Sequence, residues 1–242
     1  MKVVDVIPID QNAGADNLSY FSKDDLAPGS IVKVPLRKKF IQAILVNSKE
    51  LSQIKGDVKS SGFGLKKVAK IISKNFFSQN FLRAASATAD YFACSLGSVI
   101  GAAVPSKIQL SEELNDYKNP NQSKTASDKL VIQGTDEERF VFYKNHIRQQ
   151  FRAAKSVLIL VPSVIDGEKI REKAAKGIEK YTYFIHAGLG KKQIGRYLKN
   201  SRNSKHPIFL IATGSCLGLL PPNLGLIIID RESSSALRTL AK

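Results

Sequence analysis

Near the end of the chain stands Asn223-Leu-Gly-Leu-Ile-Ile-Ile-Asp230-Arg-Glu232, and no other stretch narrows the possible folds so far. A run of large apolar residues closing on a carboxylate reads as a buried parallel strand, because a strand covered on both faces needs no polar alternation. Its carboxylate then stands at the strand's C-terminal end, where open α/β sheets bind ligands. In nucleotide-driven motors such an Asp holds Mg²⁺, and a following Glu orients the attacking water. An Asp that merely caps the next helix is the plainer alternative. A phosphate-binding loop upstream would decide between them.

The rhythm upstream of this run agrees with a parallel sheet. Apolar runs at 129–132, 156–161, 182–186, 207–212 and 225–230 read as strands, and stretches near 137–154, 166–177, 191–200 and 233–240 read as helices. Strand and helix in alternation predict helices packed on the faces of a parallel sheet. Residues 111–129 are polar, with Asn119-Pro120-Asn121-Gln122-Ser123 at their centre, and read as a linker. Before the linker the pattern is different. Strands are predicted at 2–9, from Leu18, at 30–36 and at 40–47, with the turn signal Ala27-Pro28-Gly29 and the basic turn Arg37-Lys38-Lys39. Short strands so punctuated predict a small barrel or sandwich. Residues 65–72 fit a strand or a helix. A helix is predicted over 79–94, with Phe81, Leu82, Ala85, Ala89 and Phe92 on one face, and 96–104 continues it to Pro105. The predicted fold is α+β overall: a β-rich domain over 1–110, a linker over 111–129 and an α/β parallel-sheet lobe over 130–242.

Charge narrows the partners. The 37 Lys and Arg against 21 Asp and Glu leave +16, an excess suited to a polyanion such as nucleic acid; a cationic surface serving solubility is the alternative. No apolar run reaches ~18 residues and the N-terminus alternates like a strand, so neither a membrane span nor a signal peptide is predicted. Cys94 and Cys216 lie far apart in apolar surroundings. They offer no disulfide framework or metal spacing, which suits a reducing cytoplasm. His146, His186 and His206 have no partners at metal or triad spacing, and His186 reads as a structural histidine. Ser163, Ser215 and the serines at 233–235 lie outside any Gly-x-Ser-x-Gly context, so no hydrolase is predicted. Helix 191–200 carries Lys191, Lys192, Arg196 and Lys199, a face suited to a DNA track or to plain solvation.

Several stretches carry a family resemblance in order. They are Leu26-Ala-Pro-Gly-Ser-Ile-Val-Lys-Val-Pro-Leu36, Leu65-Lys66, Ala89-Asp-Tyr-Phe92, Leu96-Gly-Ser-Val-Ile100, Ala103-Val-Pro105, Val157-Leu-Ile-Leu-Val-Pro162, His186-Ala-Gly-Leu189 and 223–230. Together they resemble the primosomal protein N′ (PriA) family of replication-restart helicases. The first half is similar to that family's 3′ DNA-binding domain and the second to its first, RecA-like, helicase lobe.

The departures matter as much. Where the family places a Gly-rich phosphate loop ending in Lys-Thr, this chain reads Gln133-Gly134-Thr135-Asp136-Glu137-Glu138-Arg139-Phe140. With Tyr143 as the register, Arg139 takes the Lys position and Phe140 that of the Mg²⁺-binding hydroxyl. Asp136 and Glu138 replace glycines, and such side chains resist the φ > 0 conformations of phosphate loops. Acids there suit the start of a helix, by its dipole. The acidic box Asp-Glu-Glu-His reads Asp230-Arg231-Glu232-Ser233, and the Gly-Thr-Arg motif reads Ala212-Thr213-Gly214. The resemblance thus implies a degenerate nucleotide site at Gly134, Arg139, Asp230 and Glu232, with no catalytic residues and no cofactor. It also leads us to expect no winged-helix segment between the domains, and no second lobe, arginine finger or zinc-binding cysteine region beyond Lys242.

For DNA, the resemblance implies a strand-end pocket. The family's Phe-Asp pair appears as Leu18 and Ser19, followed by the matching Tyr20; a turn glycine appears as Arg37, and a Lys is kept as Lys66. Ser19 can still hydrogen-bond a 3′ hydroxyl, whereas loss of the Phe removes stacking of ~1–3 kcal/mol. Arg37, Lys38 and Lys39 add sequence-independent attraction to phosphates. The expectation is a cytoplasmic, nucleoid-associated protein that binds forked or 3′-ended DNA and single/double-strand junctions at Leu18, Ser19, Tyr20, Arg37, Lys38, Lys39 and Lys66. It would act in replication or restart without hydrolysing ATP, with replication or primosome proteins as further partners and no membrane. Two alternatives stand beside it: the N-terminal part of an ATP-dependent 3′–5′ DNA helicase with its second lobe truncated or separately encoded, and a non-catalytic scaffold for replication proteins.

Overall fold

The alternating strands of the first residues build a sheet that closes on itself. In the computed structural model, which describes residues 2–9, 17–50, 65–104 and 128–238, the chain divides into two units, Met1–Asn119 and Pro120–Lys242. The first contains β1 (Lys2–Pro8), β2 (Leu18–Ser22), β3 (Ile31–Leu36), β4 (Lys39–Glu50), β5 (Lys66–Lys67) and β6 (Lys70–Ser73). Their order is β5-β2-β1-β4-β3-β6. Only Val68 and Ala69 separate β5 from β6, and their amides donate to Phe21 O in β2 and Lys33 O in β3, each at 2.9 Å. One stretch therefore bonds both outer strands, and closure removes the open edges a flat sheet would leave. Residues 65–72, which fit strand or helix in the sequence, contain two short strands, β5 and the start of β6, because they make this closure.

Period-two alternation fills the barrel. Val4, Val6, Tyr20, Leu26, Val32, Val34, Ala43, Leu45 and Val68 form its inner cluster. On the opposite face Ile7 and Ile31 both lie in register with Ile44, and all three are buried. Leu26-Ala-Pro-Gly29 turns the chain into β3. Gly29 has φ +90°, and a Cβ there would stand 2.1 Å from the carbonyl oxygen of Phe77. Only glycine fits both conditions.

The single helix expected over 79–104 is two. Helix α1 (Gln79–Tyr91) starts on Ser78, whose hydroxyl accepts from Phe81 N, and α2 (Leu96–Ala103) starts on Ser95, which accepts from Ser98 N. Between them Ala93 adopts φ +48°. A left-handed residue followed by a serine cap ends one helix and begins another. Phe92 falls in this break and is 53% exposed, so it does not share the buried face of Ala85 and Ala89.

The second unit is a parallel sheet with helices on both faces, as the alternating pattern predicts. It comprises α3 (Asp136–Arg152), β7 (Ser156–Val161), α4 (Val164–Ala174), β8 (Thr182–Ile185), α5 (Lys191–Asn203), β9 (Phe209–Thr213), β10 (Leu224–Ile229) and α6 (Ser235–Arg238), with strands ordered β10-β7-β9-β8. Tyr143 and Ile147 of α3 and Ile170 and Ala174 of α4 pack with Val157, Ile159 and Val161 of β7 and with Phe209 and Ile211 of β9. Phe184 points to this side, whereas its neighbour Tyr183 meets Tyr197 of α5 at 5.2 Å. Adjacent strand residues face opposite ways, so α5 covers the other face.

Two expectations for this unit are corrected. Residues 129–132 form no strand, and Val131 is 95% exposed. Consequently β10 is an edge strand among the described residues, not a strand buried on both faces. Leu226 and Ile228 pack against the core cluster, while Ile227 and Ile229 are about half exposed.

Candidate nucleic-acid interface and nucleotide crevice

The basic turn sits at the tip of a tight hairpin. Leu36 pairs with Lys39, leaving Arg37 and Lys38 as the turn, and Arg37, Lys38 and Lys39 are all exposed. Arg37 holds φ +53°, a left-handed conformation that costs a non-glycine residue ~1–2 kcal/mol. Lys66 is also exposed, beside Tyr20 in the β2–β5 register. Lys67 is exposed as well, level with Phe21 of β2, and the Val68–Ala69 step after it bonds both β2 and β3. The barrel thus exposes three cations at the hairpin tip and two more on β5.

The expected pocket residues fall in different places. Tyr20 is 4% exposed inside the barrel, and its hydroxyl donates to Pro35 O at 2.9 Å, tying β2 to the root of the hairpin. Burial pushes its pKa up. Leu18 packs against the same inner cluster. Ser19 is exposed, and its hydroxyl donates to Asp5 Oδ1 at 2.7 Å; Asn47 Nδ2 donates to Asp5 Oδ2 at 3.2 Å. Sequence reasoning passed over three residues here. Asp5 places a carboxylate one strand away from Ser19, and its signal was an acid interrupting an apolar strand. Lys67 adds an exposed cation on β5, set beside Phe21 by a register that only the barrel fixes. Phe40 is 61% exposed beside the basic turn, with Lys33 Nζ 5.7 Å from its ring centroid.

At the carboxyl ends of the parallel strands, two of the four expected nucleotide-site residues meet. Arg139 Nη1 donates to Asp230 Oδ1 at 2.5 Å, and Tyr143 Oη donates to the same oxygen at 2.8 Å. The other arm of Arg139 binds Asp136. Arg231 donates to Asp166 at 2.9 Å and to Asp136 at 3.3 Å. Asp230 is 4% exposed. Burial would lower the pKa of Arg139, but the hydrogen bond to Asp136 and the charge of Asp230 raise it overall. Burial, then the bond to Asp230, pushes the Tyr143 hydroxyl up to about 12. The bond from Arg139 lowers the pKa of Asp136.

The loop ahead of this network is a helix start. Thr135 and Glu138 form a reciprocal capping box, with Thr135 N donating to Glu138 Oε2 at 2.8 Å and Glu138 N to Thr135 Oγ1 at 3.3 Å. The Glu138 carboxyl is held below its ordinary range by the bonds it accepts from Thr135 N and then from the Thr135 hydroxyl. Gly134 precedes the cap, where a Cβ would meet Glu138 Oε2 at 2.9 Å. Glu232 is exposed and takes no part in the network. Among the described residues no group of three or more His, Cys, Asp or Glu is placed to hold a metal, and no helix is long and apolar enough to cross a membrane. The ring of His186 lies against Phe184 at 5.1 Å.

The family model of the PriA 3′ DNA-binding domain (3′BD) matches residues 7–105. The replication restart proteins PriA of two Helicobacter pylori strains are each 24% identical over 229 residues, covering 89% of this chain and 35% of theirs. The chain spans about a third of the length of these relatives. The chain is thus similar to PriA over most of its length, with the match to the PriA 3′ DNA-binding domain falling on its barrel and first helices and an α/β unit after them.

Proposed function

We propose that this chain is a DNA-binding replication or restart factor that acts at forked or primed DNA and hydrolyses no ATP. The observation that carries the DNA half is the set of exposed barrel cations, Arg37, Lys38, Lys39, Lys66 and Lys67, on a domain that matches the PriA 3′ DNA-binding domain. Such cations attract phosphates without reading sequence. Arg37 supports this reading further. It keeps an arginine in backbone geometry that favours glycine, and strain retained at a surface turn points to use. Exposed Phe40 offers a base a stacking surface beside those cations.

The ATP half rests on Arg139 and Asp230. The guanidinium is bonded to Asp230, the carboxylate that a motor would offer to Mg²⁺, and Arg231 draws Asp136 and Asp166 into the same network. A nucleotide would have to displace paired charges in a crevice already satisfied. A protein partner recruited to the fork, and a place in the nucleoid, belong to the same proposal. Titrating labelled forked DNA, primed single strands and blunt duplex with the purified chain tests it. Preference for the fork or primed end is expected; equal affinity for all three would refute action at junctions.

One observation favours a second reading. The chain covers only 35% of its relatives' length, as would the N-terminal part of an ATP-dependent helicase completed by another polypeptide. Nucleotide binding by the chain, or ATP hydrolysis on adding a second-lobe polypeptide, would favour that reading.

A further inference from the structure

Helix α5 carries a charge pattern that its own folding does not explain. Ile194, Tyr197, Leu198 and Ser201 are buried against the sheet, and Tyr197 Oη donates to Leu219 O at 3.0 Å. Lys191, Lys192, Arg196 and Lys199 are exposed on the outer side. Positions 192, 196 and 199 follow one stripe of the helix, spanning roughly 10 Å of its axis. From 180 to 229 the chain has seven Lys and Arg and no Asp or Glu. By contrast α3 and α4, on the other face of the sheet, carry six carboxylates against seven cations. The basic excess is therefore one-sided.

Helix stability does not account for it. The first turn of a helix favours acids, by ~0.3–1 kcal/mol each, yet α5 opens with Lys191-Lys192 and has no acid there. Mutual repulsion along the stripe adds to that cost. Solubility would be served by either sign and by mixed charges, as on α3 and α4. A face that is uniformly cationic and exposed suits a polyanion, and duplex DNA presents one charge per ~1.7 Å of axis.

We propose that the outer face of α5, centred on Lys192, Arg196 and Lys199, is a second DNA-backbone site, carried by the α/β unit and separate from the barrel cations. It recognises phosphates and not bases. It does not depend on the barrel residues, so the two sites can fail independently.

The test uses the full chain with Lys192→Gln, Arg196→Gln and Lys199→Gln combined, against a short duplex in a salt series. All three side chains are exposed, so the thermal transition should match the parent's. The log–log salt slope should flatten by about 2–3, at ~0.9 per phosphate neutralised, with affinity falling at least tenfold at about 50 mM salt. An unchanged slope and affinity would overturn the site. Placing the same changes in a chain that also has Arg37, Lys38 and Lys39 replaced by alanine separates the readings. Complete loss from the barrel changes alone overturns the α5 site and leaves the barrel site standing. Loss from the α5 changes alone, with none from the barrel, does the reverse. Should the α5 variant fail to fold, acylation of Lys192 in the parent decides: protection by duplex DNA supports the site, and equal labelling with and without DNA overturns it. Binding of polyglutamate as tight as that of DNA, lost with the same substitutions, would overturn it in favour of an acidic protein partner.

Discussion

The Arg139 guanidinium lies 2.5 Å from Asp230 Oδ1, joining the start of α3 to the end of β10 across 91 positions of sequence. Neither side chain is much exposed, at 13% and 5%. Removing one partner of such a pair leaves a charge buried and uncompensated. Arg139→Ala should therefore cost about 3–5 kcal/mol, measured by urea unfolding, whereas an apolar pair at both positions should cost far less. Near-zero cost for the single change would mean that water already solvates Asp230.

Tyr143 makes the same network sensitive to base. Its folded pKa is raised from 10.0 to about 12, so the stability it contributes is complete below pH 10 and is lost as pH rises through 12. Unfolding midpoints should decline across that window, and Tyr143→Phe should flatten the decline. Tyrosinate absorbance should show one fewer late-titrating group in the variant. At the acid end the sign reverses. The depressed pKa of Asp136 gives stability that is present above the ordinary carboxylate range and lost as pH falls through the lowered value.

On the barrel, changing Arg37, Lys38 and Lys39 to alanine should weaken binding to single-stranded DNA of any sequence. The log–log salt slope, read by fluorescence anisotropy, should flatten by ~0.7 for each phosphate no longer neutralised, so by about 2 if all three cations engage. Thermal stability should hold or rise slightly, because an alanine at position 37 keeps the backbone strain but the three like charges are gone.

Gly29→Ala tests the turn that sets β3. Positive φ alone costs ~1–2 kcal/mol, and the new Cβ would stand 2.1 Å from a backbone oxygen that cannot rotate away. A loss of roughly 2 kcal/mol or more in thermal or urea unfolding is expected. A neutral result would show that the Phe77 segment moves freely.

The barrel strands and the strand–helix alternation were legible because hydrophobic period reports local structure directly. What was not legible depended on neighbours. The run ending at Asp230 reads as a strand from its own residues, but whether it is central or an edge depends on residues 129–132, which make no ladder. Ala93 carries no turn signal, so the left-handed break between α1 and α2 was invisible. Tyr20 matched a family position by order along the chain, while the barrel register sends its hydroxyl to Pro35. Arg139 and Asp230 were each legible as departures from a nucleotide motif. That one neutralises the other required the fold, which brings the N-terminus of α3 to the end of β10.

The central claim is DNA binding without dependence on ATP, and a salt series on labelled forked DNA, run with and without ATP and Mg²⁺ while phosphate release is followed, tests it most directly. The account predicts binding at about 50 mM salt that weakens steeply as salt rises, an affinity unchanged by nucleotide and no phosphate released. Absence of binding at that salt, binding indifferent to salt, or DNA-stimulated phosphate release would contradict it.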